Sequence, residues 1–186
     1  MQDDATRWDD RHRDSGLAEA RPPDVLGDHP ELVAHVAGES RAVDIACGIG
    51  AQSLWLADRG LQVTALDVSP VAIGLTNAAA QRAGLDHLID ARVIDLDAGL
   101  PTDLADLDIV ICQRFRHPNL YPAIVERLRP GGLAVVTVLS CVGLDGEPGP
   151  FHAPPGDLRD AFTRDDAQIL LDTEADGLAS IVLTRR

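Results

Sequence analysis

Three carboxylates, Asp44, Asp67 and Asp95, stand at the ends of successive short apolar runs. The first is followed by a glycine turn, Ala46-Cys47-Gly48-Ile49-Gly50. A fourth apolar run is followed by Gln113, Arg114 and Arg116. A carboxylate accepts hydrogen bonds and attracts cations. A glycine turn lets backbone approach a ligand closely and aims helix N–H groups at it. An acid after the second run fits a ribose, whose hydroxyls are donors. Asp67 lies 17 residues after Gly50, near the spacing of about 20 found in dinucleotide-binding folds.

These residues need elements to hold them. Residues 1–16 form a charged arm with one aromatic, Trp8. Asp28, Pro30 and Gly38 predict a helix over residues 28–37. Residues 42–46 read as a strand, and the glycine turn leads into a helix through residues 53–57 that ends at Gly60. Residues 61–66 are the next strand. Ser69-Pro70 opens a helix that Gly84 closes. Residues 91–94 and 107–112 are strands. A helix over about 118–129 stops at Pro130-Gly131-Gly132, and residues 133–139 are the most apolar strand. Residues 140–157 are dense in Gly and Pro and read as a loop. A short helix at 158–162 precedes two strands, 167–172 and 178–184, joined near Asp176-Gly177. This alternation predicts βαβ units and a mainly parallel sheet. Ligands bind such sheets at the carboxyl ends of the strands, so the three acids share one edge.

Composition excludes several chemistries. The 186 residues carry 45% hydrophobic and 25% charged side chains, the balance of a globular chain. A formal net charge of −14 repels a phosphate backbone and argues against nucleic-acid partners. All 16 basic residues are arginine. Without lysine there is no Schiff base and no Walker lysine. Cys47, Cys112 and Cys141 form no Cys-x-x-Cys pair, and the six histidines form no His-x-x-x-His pair, so no metal site is expected. No apolar run reaches the roughly 18 residues of a membrane span, and the polar first residues show no signal peptide. The expected location is the cytoplasm, with no membrane partner.

Ribose binding alone does not separate a nicotinamide cofactor from S-adenosylmethionine, since both carry the sugar. Charge does. A dinucleotide brings a pyrophosphate that Asp44 and Asp95 would repel, whereas S-adenosylmethionine is a net cation that an acidic mouth suits. The third glycine of the nicotinamide pattern is Ser53 here. The run Val43-Asp44-Ile45-Ala46-Cys47-Gly48-Ile49-Gly50 resembles the first motif of class I S-adenosylmethionine-dependent methyltransferases. Val63-Thr64-Ala65-Leu66-Asp67-Val68-Ser69-Pro70 resembles the second, Ala91-Arg92-Val93-Ile94-Asp95-Leu96 the third, and Leu128-Arg129-Pro130-Gly131-Gly132-Leu133 the turn before the fifth strand. Residues 50–57 are most similar to small bacterial methyltransferases of the tellurite-resistance type.

The resemblance implies a single α/β domain of the Rossmann-like methyltransferase fold. Its seven-stranded mixed sheet is mostly parallel, with a C-terminal antiparallel hairpin and helices on both faces. Residues 1–27 would be an arm, 41–139 the cofactor-binding core, 140–157 a loop over the acceptor site and 166–184 the hairpin. The cofactor would be S-adenosylmethionine and the acceptor a small molecule. Gly48 and Gly50 would meet the methionine part, Asp44 its ammonium, Asp67 the ribose, and Asp95 with Leu96 the adenine. Gln113 would lie near the methyl group, and Trp8 would help cover the cofactor. Cys47 and Val68 fall within the same motifs and count as cofactor-binding, Cys47 as a packing residue rather than a nucleophile. Arg116, His117, Phe151 and His152 are candidates for the acceptor, with Arg116 alternatively pairing with an acid. Methyl transfer from a sulfonium needs no obligatory triad, so no catalytic residue is nominated. A non-catalytic S-adenosylmethionine-binding protein and a nicotinamide-dependent oxidoreductase are the alternatives.

Overall fold

The computed structural model describes residues 2–186. Its helices are α1 (Gln2–His12), α2 (Asp24–Asp28), α3 (Ala51–Asp58), α4 (Pro70–Ala83), α5 (Tyr121–Arg127) and α6 (Asp157–Phe162). Its strands are β1 (Arg41–Ile45), β2 (Gln62–Asp67), β3 (Ile89–Val93), β4 (Leu107–Gln113), β5 (Leu128–Leu139), β6 (Ala167–Ala175) and β7 (Leu178–Arg185). The seven strands form one mixed sheet in the order β3-β2-β1-β4-β5-β7-β6. The chain divides into two compact units, one ending at Gly99 and the other Leu100–Arg186. No helix among the described residues is long and apolar enough to cross a membrane.

In the first unit, β1, β2 and β3 are parallel, with Ile45 opposite Leu66 and Asp67 opposite Val93. Pairing runs one step past the strands: the Cys47 N–H donates to the Leu66 carbonyl at 2.9 Å, and the Ile94 N–H to the Asp67 carbonyl at 2.8 Å. The chain therefore leaves all three strands at a level edge, with Asp67 and Asp95 close to that edge in sequence. The α4 boundaries follow from the cap chemistry read in the sequence. Ser69 Oγ accepts from the Ala72 N–H at 3.0 Å, proline stands at the first helical position, and Gly84 closes the helix at φ 72°.

Two expectations in this unit are corrected. The charged arm is helical over α1, with Arg7 paired to Asp4 at 2.7 Å and Arg13 to Asp10 at 2.8 Å. The α-helix expected over residues 28–37 is not formed: α2 lies before it and ends at Asp28, and the segment itself holds a short 3₁₀ turn over Pro30–Val33. Proline bars its predecessor from helical angles, and His29 sits at φ −129°, ψ 60°, so Pro30 divides the segment.

In the second unit, β4 and β5 are parallel while β7 runs antiparallel to both β5 and β6. Ile109, Val110, Ile111 and residues 133–136 are buried, as strands covered on both faces require. The helix expected over residues 118–129 is shorter: a 3₁₀ turn at Pro118–Leu120 leads into α5, which ends at Arg127. Pro130-Gly131-Gly132 is not a break before the strand but an irregularity within β5. The partner of Leu107 is Leu128, yet the partner of Ile109 is Leu133. The extra residues bulge outward, and the chain re-enters the ladder at Leu133. Gly132 makes that return possible, because a Cβ there would lie 2.6 Å from the Leu107 carbonyl oxygen and 3.0 Å from that of Arg129. Gly132→Ala is expected to destabilise the protein by about 1–3 kcal/mol, the usual cost of forcing atoms into a packed interior. A denaturant midpoint equal to that of the unmodified chain would contradict this.

Candidate functional site

The site grows from the turn after β1. Ala46, Gly48 and Gly50 have φ of 54°, 54° and 86°, so the chain coils tightly between β1 and α3. This coil points the Gly48 N–H at Asp67, whose Oδ2 accepts it at 2.9 Å. The other oxygen, Oδ1, accepts the Ser69 N–H at 2.9 Å. Each oxygen retains capacity for a further donor. One side chain thus holds the glycine turn and the start of α4 at fixed distance, while remaining able to accept from a ligand.

Asp44 lies beneath the turn, 1% exposed. Ser53 Oγ donates to its Oδ2 at 2.6 Å. Burial pushes the Asp44 pKa up to about 7; the Asp67 charge adds to the rise and the Ser53 hydrogen bond opposes it. The Cys47 thiol is pushed well above its ordinary value, first by burial and then by the charges of Asp44 and Asp67. Such a thiol stays protonated, which fits packing rather than nucleophilic attack.

The glycines have different tasks. A Cβ on Gly50 would lie 2.6 Å from Thr76 Cγ2 and 2.8 Å from its Oγ1. Thr76 Oγ1 in turn donates to the Gly48 carbonyl at 3.1 Å. Gly50 is therefore required by the packing of α4 against the turn, a role not visible in the spacing of the motif. At Gly48 a Cβ would meet the His12 ring, with Cε1 at 3.7 Å.

That contact brings α1 onto the site. Trp8 and His12 stack with ring centroids 6.1 Å apart. Arg7 and Arg11 place guanidinium groups 5.7 Å and 5.9 Å from the Trp8 ring centroid. Asp9 accepts from Ser69 Oγ at 2.5 Å and from the Val71 N–H at 3.2 Å, so it caps the amino end of α4. Asp9, His12, Ser53 and Thr76 were not legible as site residues. Ser53 had a signal, its place at the third glycine position; the α1 residues gain their partners only through the fold.

Asp95 and Leu96 follow β3. Asp95 is half-buried and caps a short turn, its Oδ1 accepting from the Asp97 N–H at 3.0 Å. Leu96 is buried, Val68 is half-buried, and Asp97 is exposed. The first unit thus brings together Asp44, Cys47, Gly48, Gly50 and Asp67, with Trp8 joined to them through His12.

The remaining candidates belong to the second unit. The Gln113 amide donates to the Cys112 carbonyl at 3.1 Å and the Val135 carbonyl at 3.3 Å. Arg116 makes a two-pronged pair with Asp157, at 3.0 Å and 2.9 Å. This is the acid-pairing outcome, and it ties the segment after β4 to the start of α6. His117 stacks on Phe115 at 5.9 Å. Phe151 is 50% exposed, and His152 Nδ1 accepts the Gly149 N–H at 3.0 Å. The 140–157 loop is pinned at its base. Glu174 of β6 accepts from Ser140 Oγ at 2.6 Å and from the Gly156 N–H at 2.9 Å. Across the loop neck the Cys141 N–H donates to the Ala153 carbonyl at 3.0 Å, and the Ala153 N–H to the Leu139 carbonyl at 2.8 Å. Among the described residues no group of three His, Cys, Asp or Glu side chains is placed to hold a metal ion.

Residues 42–132 match the methyltransferase domain family. That segment of the chain is similar to a methyltransferase domain. A ubiquinone biosynthesis O-methyltransferase of Azoarcus sp. is 29% identical over 105 residues, covering 54% of this chain and 44% of that protein. The chain spans about half the length of the curated relatives it matches. Among solved structures, TehB from Haemophilus influenzae superposes with a TM-score of 0.70 at 19% identity, over 86% of this chain and 62% of that one. A geranyl diphosphate C-methyltransferase from Streptomyces coelicolor A3(2), solved with S-adenosyl-L-homocysteine, superposes with a TM-score of 0.69 at 13% identity, over 87% of this chain and 81% of that one. These likenesses show the fold.

The raised Asp44 pKa makes stability depend on pH. The native chain keeps the Asp44 proton up to about pH 7, while an unfolded carboxyl releases it near 3.8. Between those values the native state binds more protons, so this group's contribution to stability falls as pH rises. Asp44→Asn removes that loss. The melting temperature of the variant relative to the unmodified ligand-free protein is expected to rise from pH 4 to pH 8. A constant difference across that range would show that Asp44 is ionised like an exposed acid.

Proposed function

We propose that the protein binds S-adenosylmethionine on its first unit and transfers the methyl group to a small-molecule acceptor. The observation that carries this reading is the pair of carboxylates bracketing the glycine turn, buried Asp44 and twice-bonded Asp67. They fit the cofactor chemically. Asp67 has acceptor capacity left for ribose hydroxyls. Asp44, balanced near neutrality, gains its charge most readily when an ammonium lies close. Asp95 and Leu96 are assigned to the adenine, and Gly48, Cys47 and Val68 to the wall of the binding turn.

When bound, the cofactor supplies a methyl group already activated by a sulfonium, so displacement depends on positioning and on exclusion of water. The protein's part is to orient the donor through Asp44 and Asp67 and to cover it with Trp8. The acceptor is assigned to the second unit, to Gln113, His117, Phe151 and His152. Arg116, already paired with Asp157, holds the shape of that region rather than offering an open cation. The names of the Azoarcus and Streptomyces proteins, which point to ubiquinone biosynthesis and geranyl diphosphate, support a small acceptor. The net charge of −14 disfavours a nucleic-acid acceptor. A nicotinamide cofactor is disfavoured by Ser53, which donates to Asp44 where a glycine would be needed, and by the repulsion of a pyrophosphate.

Calorimetry with S-adenosylhomocysteine and NAD tests the cofactor. The first is expected to bind and the second not; the reverse order would overturn the reading. Asp67→Ala is expected to weaken S-adenosylhomocysteine roughly 10- to 100-fold, from loss of hydrogen bonds to a charged acceptor. The same variant should melt earlier, because the Gly48 and Ser69 N–H groups lose their partner. Product formation on a panel of oxygen, nitrogen, sulfur and metalloid acceptors then separates a transferase from a protein that only binds. Phe151→Ala is expected to raise KM for the acceptor while leaving cofactor affinity within about twofold, since an exposed side chain far from the glycine turn in sequence has no part in binding it.

A further inference from the structure

The glycine turn is surrounded by acids. Asp44 lies beneath it, Asp67 accepts from Gly48, and Asp9 accepts from Ser69 Oγ and the Val71 N–H next to Asp67. This arrangement suits the ammonium and the sulfonium of the cofactor. It leaves the third charge of the same molecule, the methionyl carboxylate, in need of a donor. An unpaired carboxylate beside Asp67 would weaken binding, because like charges at short range repel.

The side chain against the turn is His12. A Cβ built on Gly48 would lie 3.7 Å from His12 Cε1 and 4.0 Å from Nε2. The ring is oriented by its stack on Trp8, which holds it by its face and leaves the nitrogens at the edge. His12 is the last residue of α1. Asp9, on the same helix, fixes α1 to the start of α4 through one carboxylate oxygen that accepts from Ser69 and Val71.

On the reading that S-adenosylmethionine occupies this turn, we propose that His12 binds the methionyl carboxylate through a ring N–H. The first helix then supplies a ligand-binding N–H as well as a cover. Asp44 and Asp67 recognise the positive and hydroxyl-bearing parts of the cofactor, and His12 recognises its negative part.

The test compares two ligands that differ only in that carboxylate: S-adenosylmethionine and its decarboxylated form. In the unmodified protein S-adenosylmethionine is expected to bind more tightly. His12→Ala should weaken it roughly 10- to 100-fold, as for a hydrogen bond to a charged partner, while the decarboxylated ligand changes by less than about twofold. His12→Glu, with a carboxylate in place of the imidazole, should penalise S-adenosylmethionine further and favour the decarboxylated form. Thermal melts of both variants check that they fold. If both ligands lose affinity equally, His12 only holds α1 in place and the proposal falls. If neither ligand's affinity changes, it falls as well. If the unmodified protein binds neither ligand, the cofactor assignment itself fails, a result distinct from an unaltered preference between two ligands that do bind.

Discussion

The site depends on one carboxylate. Asp67 ends β2 and accepts from Gly48, in the turn after β1, and from Ser69, at the cap of α4. Parallel pairing brings β1 and β2 level but does not by itself set the distance between the segments that leave them. A single side chain with two acceptor oxygens does. The hydrogen-bonded cap continues outward, because the hydroxyl of Ser69 accepts from Ala72 and donates to Asp9. Turn, helix and first helix are joined through adjacent atoms, so the geometry around Gly48 is shared among three parts of the chain.

The sequence made the strands and the acids legible for physical reasons. Val43 to Gly50 and Val63 to Pro70 combine apolar runs with a turn and a cap, and each local signal agrees with the final structure. Strand ends moved, by one residue at Arg41 and Asp67 and by three at Ala175, because pairing with a neighbour decides where a ladder stops. Other features were not legible because their causes are not local. Gln2–His12 is mostly charged and reads as an arm; it is a helix that docks through Asp9. Pro130-Gly131-Gly132 reads as a stop, and only the partner strand reveals that β5 passes through it. Pairing of Arg116 with an acid was legible, but its partner Asp157, 41 residues on, was not.

The second unit uses the same device at its long loop. Glu174, on the outermost strand β6, holds Ser140 and Gly156 with its two oxygens, much as Asp67 holds Gly48 and Ser69. Gly143 packs so closely on the turn between β6 and β7 that a Cβ there would lie 2.6 Å from the Asp176 nitrogen. The neck of the loop is therefore fixed to the hairpin, while residues 145–151 at its tip are exposed. A fixed neck with an exposed tip lets residues at the tip change without disturbing β5 or β7.

The contact between Gly50 and Thr76 has a consequence for how this sequence can vary. The two residues lie on different elements, yet the side chain of one fills the space the other leaves empty. A larger residue at position 50 requires a smaller one at position 76, and the reverse exchange has no room because Gly50 also needs its φ of 86°. Thr76 cannot shrink freely either, since its hydroxyl holds the Gly48 carbonyl. Drift at either position is therefore blocked one step at a time, and the two sites are bound to a common history.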